Sequence, residues 1–165
     1  MNPAMRILRV LILLLAVGGV YDSFLALKVH NQDPGQAPPC AVNATWDCGA
    51  VNHSRYAVFP AQSFDEQPGS KKLHIPVATL GIAGYVLIAV LALWAPMFWV
   101  LTVTEIGFAC AAILSYLEAF VIEKWCIYCV WSQGIIATIL LLSALGLTLQ
   151  WRARRFQRSA VMVSR

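Results

Sequence analysis

Apolar residues gather in four long runs separated by short polar links and one extended polar segment. The runs Ile7 to Lys28, Ile75 to Leu93, Phe98 to Val121 and Cys126 to Leu149 each reach the roughly 20 residues a helix needs to cross a bilayer core. The pattern predicts an all-α integral membrane protein, a bundle of four transmembrane helices. Between the second and third runs the chain has only "WAPMFW", and Pro96 prevents one continuous helix, so these two spans form an antiparallel hairpin. "VIEKW" joins the third span to the fourth in the same up-down sense, and the first span completes the bundle.

The sizeable extramembrane piece is the loop 29–74, too long to serve as a mere connection. Its aromatics Trp46, Tyr56, Phe59 and Phe64, with Pro60 and Pro68 among and after them, suit a cap folded back onto the membrane face. A solvated linker would be poor in such residues. "GSKKLHIP" is expected to act as the hinge into the second span, with Pro76 in the first helical turn.

Composition supports the membrane class. Of the 165 residues 59% are hydrophobic and 12% charged, and the mean hydropathy is +0.68, values foreign to a soluble globule. The basic start of the first run resembles a signal peptide, but the apolar stretch continues past Val20 to Leu27 without a small-x-small cleavage site. An uncleaved first span is the expectation.

Charge then sets orientation. Arg6 and Arg9 precede the first span, and Arg152, Arg154, Arg155, Arg158 and Arg165 follow the fourth, while the loop carries both signs, Asp33, Asp47, Asp65 and Glu66 against Arg55, Lys71 and Lys72. Excess Lys and Arg marks the cytoplasmic side, so both termini are expected there, with the loop outside. The basic tail 150–165 follows a span directly, which favours topology and anionic lipid contact over nucleic acid.

The chain has five cysteines: Cys40, Cys48, Cys110, Cys126 and Cys129. Cys110 falls within the third span, where a small packing residue suffices. The other four lie on the expected outer side, where disulfides persist. Cys126 and Cys129 form a Cys-x-x-Cys pair at the expected first turn of the fourth span. Free backbone N–H groups and the helix dipole favour a thiolate there. Their i, i+3 spacing puts both sulfurs on one face with Gln133 one turn deeper, the first sulfur toward water and protein and the second toward the bundle interior. A static disulfide closing so small a loop would add little stability. A zinc site of four thiolates is a further alternative, against which the seven residues between Cys40 and Cys48 exceed the usual ligand spacing. Two dithiols on one side of a membrane suggest a relay by thiol–disulfide exchange. A lipid-soluble quinone, which takes two electrons, suits the position of Cys129 as the final acceptor.

"CAVNATWDCGAVNHSRY" followed by "CIYC" at the head of the last span resembles the vitamin K epoxide reductase family, in particular its bacterial members without a fused thioredoxin-like domain. The resemblance spans essentially the whole chain as a single membrane domain. It implies a four-helix bundle that holds a quinone at its outer end under the external cysteine-containing cap loop. It implies roles for the cysteines: Cys129 next to the quinone, Cys126 its exchange partner, Cys48 the shuttle to Cys126, and Cys40 the thiol that exchanges with a protein substrate. Ser54 matches a serine of the family's cap. Bacterial members oxidise thioredoxin-fold proteins of the DsbA type and pass the electrons to ubiquinone or menaquinone. Since no thioredoxin-like domain follows the fourth span, the expected partner is a periplasmic protein acting in trans, with the chain in a bacterial inner membrane. Where animal members have a tyrosine after the last cysteine and an asparagine at the start of the second span, this chain has Gln133 and Val77. Gln133 offers an amide donor to a quinone carbonyl, while vitamin K epoxide reduction remains an alternative activity.

Two other readings stand beside this one. A DsbB-type oxidase also has four spans, but its Cys-x-x-Cys lies in the first external loop. A noncatalytic scaffold would hold its loop with zinc or fixed disulfides.

Of the remaining polar residues, Asp22 and Glu118 near the outer ends of their spans are expected either to relay protons or to snorkel; Glu105, deeper in the third span, has no partner in the sequence. His30, His53 and His74 are expected as scattered surface residues. Asn43-Ala44-Thr45 and Asn52-His53-Ser54 match glycosylation sequons by chance.

Overall fold

The structure is a computed structural model that describes residues 3–36, 38, 40–65 and 72–163, with side chains described as far as 155. Pro68, Glu66 and Gly69 to Lys71 of the expected hinge lie outside the described residues, as do Arg165 and the Arg158 side chain.

The described residues form eight elements in order: α1 (Pro3–His30), α2 (Cys48–Asn52), β1 (Val58–Phe59), β2 (Ile75–Pro76), α3 (Val77–Trp94), α4 (Met97–Leu117), a π-helical turn (Glu118–Ile122) and α5 (Ile127–Val163). Among the described residues four helical segments are long and apolar enough to cross a membrane: Pro3–His30, Val77–Trp94, Met97–Ile122 and Ile127–Arg155. Their outward faces carry Leu14, Val17, Phe24, Val90, Ile106, Ile113 and Leu141, all exposed. That inside-out distribution is what lipid as solvent dictates.

Helix α1 packs against α3 and α5, and α4 against α5. The shared core is Ile12 and Ala16 of α1, Tyr85 and Ile88 of α3, Val100 of α4, and Ile136 and Ile139 of α5. Small residues let the helices approach, as is usual in membranes. At Gly19 a Cβ would fall 2.5 Å from the Tyr85 ring, and at Gly146 one would fall 2.9 Å from the Met97 methyl. The bundle also buries polar links: Thr104 and Ser143 hydroxyls meet at 3.4 Å between α4 and α5, and the Tyr85 hydroxyl donates to the Ser132 carbonyl at 2.9 Å.

The α3–α4 connection is the expected tight hairpin, with Ala95 and Pro96 alone between the helices. Arg9 locks this end. Its guanidinium donates to the Ala92 and Ala95 carbonyls at 2.6 and 2.7 Å, placing a cation on the C-terminal carbonyls of α3, where the helix dipole favours it.

Element boundaries depart from the sequence expectation in four places. Span 2 begins at Val77 instead of Ile75, because Ile75 and Pro76 pair with Phe59 and Val58 as an antiparallel ladder. Pro76 therefore lies ahead of the helix, outside its first turn, and the Val77 N–H bonds the Ala57 carbonyl at 2.8 Å. Helix α5 begins at Ile127, so Cys126 precedes the first turn. The same helix continues to Val163, so the expected tail 150–165 is largely a prolongation of span 4. The fourth departure is the π turn closing span 3, after which Glu123 takes a left-handed conformation (φ 55°).

The loop is folded, as expected for a cap, but through different contacts. Trp46 forms a parallel bridge with Trp125: the Trp125 N–H donates to Thr45 O at 2.9 Å and the Asp47 N–H to Trp125 O at 3.0 Å. Lys124 adds a bond from its ammonium to Ala44 O. Of the aromatics expected to pack, Trp46 and Tyr56 are half-buried, whereas Phe59 and Phe64 are exposed; Phe64 instead lies under the Arg55 guanidinium, 3.4 Å from its ring centroid.

Candidate functional site

The site forms where the loop meets the start of α5. Asp47 caps the short α2 helix, its side chain accepting the Ala50 N–H at 3.0 Å, a favoured N-cap arrangement. The cap fixes Cys48 as the first residue of α2. Cys48 is disulfide-bonded to Cys40, with Cα atoms 5.7 Å apart. This bridge sits in one buried cluster with Val29 of α1, Val51 of α2 and Cys126, while Ile122, Ile127, Tyr128 and Cys129 pack around it. The four cysteines singled out in the sequence thus come together, although 77 residues lie between Cys48 and Cys126. Cys126 and Cys129 are free thiols, as is Cys110, which is exposed on the bundle's outer surface.

Burial corrects one expectation. Cys126, expected to face water, is 0% exposed, whereas Cys129 is half-buried. The reason is the cap: α2 and the Trp46–Trp125 bridge lie across the start of α5, covering the first sulfur. Cys126 lies outside the membrane-spanning segments. The Cys129 thiol, donating to it, holds Cys126 below the usual thiol range, while burial pulls the other way.

Glu118 completes the surroundings. Its Oε2 accepts the Cys126 N–H at 3.0 Å, and its own carbonyl accepts the N–H groups of Glu123 and Lys124. Glu118 is 2% exposed and Asp22 9% exposed. Of the two expectations for these acids, snorkelling fits neither, since both residues are buried and Glu118 Oε1 and Asp22 Oδ2 are each enclosed.

The residues expected at a quinone lie on different elements at this end of the bundle. Ser54, after α2, and Gln133, in the second turn of α5, each present a buried oxygen with no hydrogen-bond partner among the described residues. Asp22 Oδ2 and Glu118 Oε1 are in the same condition. Val77, also expected there, opens α3 half-buried with its N–H already taken.

Several participants escape sequence reasoning. Asn52, met there only in a sequon, is buried and donates from Nδ2 to the Cys48 carbonyl at 2.9 Å and to the Cys126 sulfur at 3.5 Å. Its i+4 relation to Cys48 is the one local signal, and it needs the short α2 helix to be known. His30 and His53, expected as surface residues, are half-buried and stack with ring centroids 6.3 Å apart. His30 Nδ1 bonds Asn52 O at 2.6 Å, and His53 bonds the carbonyls of Gly49 and Gln32, tying α2 to the end of α1. Among the described residues no group of three or more His, Cys, Asp or Glu side chains is placed to hold a metal ion.

No curated protein matches the chain. The model of the vitamin K epoxide reductase family, in contrast, matches residues 10–144, a stretch that holds all five cysteines and the greater part of every span. The chain therefore belongs to the vitamin K epoxide reductase family, and its function is of the membrane thiol oxidoreductase or quinone reductase kind.

Proposed function

We propose that the protein is a membrane thiol oxidase. It takes electrons from a thioredoxin-fold partner of the DsbA type in trans and delivers them to a membrane quinone, ubiquinone or menaquinone. The observation that carries this reading is the seating of the Cys40–Cys48 disulfide against Cys126 in one buried cluster, with Cys129 beside it.

The exchange chemistry balances within the chain. A partner thiolate attacks the Cys40–Cys48 disulfide, and the partner leaves as its disulfide once both loop cysteines are thiols. Cys48 then attacks Cys126 in a Cys126–Cys129 disulfide; the Cys48–Cys126 bond forms and Cys129 leaves as thiolate. Cys40 next attacks Cys48, which restores the loop disulfide and releases Cys126. Two electrons have moved inward, leaving the loop pair oxidised and the inner pair reduced. This is the pairing seen here.

A bound quinone supplies the oxidant, taking two electrons and two protons as the Cys126–Cys129 disulfide re-forms. The residues at the loop end fit such a group. Ser54 Oγ has an O–H to give, and Gln133 carries amide donors beside its unpartnered oxygen. Glu118 and Asp22, each with one buried carboxyl oxygen unpartnered, are placed to take up or supply protons in a region closed to bulk water. We place the cysteine end on the periplasmic side of a bacterial inner membrane, with both basic termini cytoplasmic, from the arginines at the start of the first span and after the fourth.

The test is anaerobic quinone consumption by the purified protein with a reduced DsbA-like partner, run beside Cys129→Ala. Consumption by the parent that the variant loses is the expected result. A folded parent that consumes none of several quinones would indicate a scaffold with a static loop disulfide.

A further inference from the structure

The Cys126 sulfur is sealed from solvent, yet the relay requires it to leave a disulfide carrying a full negative charge. A buried anion without donors is strongly disfavoured, so the polar hydrogens aimed at this sulfur matter. The Cys129 thiol is one source. The other is Asn52. Its orientation is fixed by chemistry: the Cys48 carbonyl at 2.9 Å can only accept, so the amide nitrogen faces it. The second hydrogen of that nitrogen is then available to Cys126 Sγ, 3.5 Å away. Asn52 is itself buried and held from behind, where His30 Nδ1 bonds its backbone carbonyl at 2.6 Å.

We propose that Asn52 is a catalytic residue of the exchange between the two cysteine pairs, its side-chain N–H stabilising the Cys126 thiolate released when Cys40 closes the loop disulfide. The inference rests on the relay reading above. In the step concerned, the Cys40 thiolate attacks Cys48 Sγ, the Cys40–Cys48 bond forms, the Cys48–Cys126 bond breaks, and its electron pair leaves on Cys126. One negative charge moves from Cys40 to Cys126, and no outside oxidant is consumed. The pairing in the structure is the product of this step, and in it the Asn52 amide lies on the released sulfur. The other groups facing that sulfur are Cys129 and Tyr128 of α5, Glu118 at the end of α4 and the oxidised Cys48 of α2. Glu118, an acid, opposes the thiolate, which leaves Asn52 as the neutral donor supplied by the cap.

The experiment uses the full chain with Cys110→Ala and Cys129→Ser, the serine hydroxyl keeping a donor beside Cys126. Given one disulfide per chain and no partner or quinone, this protein distributes between a Cys40–Cys48 bond and a Cys48–Cys126 bond. The ratio is read by acid quench and non-reducing peptide mass spectrometry across pH. With Asn52 present, the Cys40–Cys48 isomer is expected to gain as pH rises through the ionisation of Cys126. In Asn52→Ala the gain moves upward by about one pH unit, roughly tenfold less of that isomer at a fixed pH on the rise. Asn52→Asp, which keeps the shape but replaces the donor with an acceptor, moves it at least as far. A purely structural Asn52 would rescale the ratio by one factor at every pH; that outcome, or an unmoved profile, overturns the role of Asn52 while leaving the relay standing. Absence of the Cys48–Cys126 isomer at every pH in the chain that retains Asn52 would remove the relay and the inference together.

Discussion

The backbone N–H of Cys126 and Oε2 of Glu118 meet at 3.0 Å across eight residues of chain. A buried N–H ahead of a helix needs an acceptor, and here the π turn at the end of α4 brings a carboxylate under it. The contact ties the inner cysteine pair to α4 as well as to α5. Replacing Glu118 with Leu strands that N–H and should lower stability by about 1–3 kcal/mol, whereas Glu118→Gln, which retains an acceptor oxygen, should lose much less. Thermal melting in detergent separates the two; equal melting temperatures would show the contact to be incidental.

Cys126 should exchange disulfides at a lower pH than an ordinary thiol. Because its folded value is depressed by the Cys129 hydrogen bond, the thiolate is the favoured form above that value and disappears as pH falls through it. With free cysteine titrating at about 8.5, the midpoint of the exchange rate between Cys126 and the loop pair is expected below that pH, and Cys129→Ala should raise it. Stopped exchange with acid quenching measures both; a midpoint in Cys129→Ala equal to or below the parent's would be inconsistent with the hydrogen bond.

Gly19 and Gly18 offer a paired test of bundle packing. A methyl at Gly19 would overlap the Tyr85 ring, whereas one at Gly18 meets nothing within 4 Å. Tyr85 cannot swing aside without surrendering its hydroxyl bonds to Ser132, both 2.9 Å. Gly19→Ala is therefore expected to destabilise by about 1–3 kcal/mol, and Gly18→Ala to be neutral or to stabilise by up to about 1 kcal/mol through helix propensity. Similar melting temperatures for the two variants would contradict the packing described.

Arg9 acts in the structure as more than a topology signal. Its two bonds to the carbonyls ending α3 require the fork of a guanidinium, which Lys lacks. Arg9→Lys preserves the charge count of the N-terminal flank and should still lower stability by about 1–2 kcal/mol. Arg6→Lys, at an exposed neighbour, should have no effect; matching losses at both positions would mean that charge alone is what Arg9 provides.

The family was legible because its marks are local in the sequence: apolar runs long enough to span, a loop with two cysteines, and a Cys-x-x-Cys before the last run. Glu118, Asn52 and the two histidines were not. Glu118 looked like an interfacial acid because its partner lies beyond a π turn that no apolar period announces. Asn52 looked like part of a sequon because its meaning depends on Cys126, 74 residues away. Phe59 and Phe64 misled in the other direction, since an aromatic residue states that it prefers cover without stating what supplies it.

By itself the sequence determined the solvent and the count of spans, because the transfer of about 20 apolar side chains into lipid is a sum over neighbours and needs no fold to evaluate. It also set four of the five sulfurs at one end of the spans. Only the tertiary structure decided which of them is sealed. Cys126 is covered because the Trp46–Trp125 bridge and α2 lie across the start of α5, and long-range pairing of this kind depends on closing a loop across two spans. The same closure brings Asn52 to the sulfur and the Cys40–Cys48 disulfide into one cluster with it, so the order of the relay proposed above rests on the cap's docking and is written in no single segment of the chain.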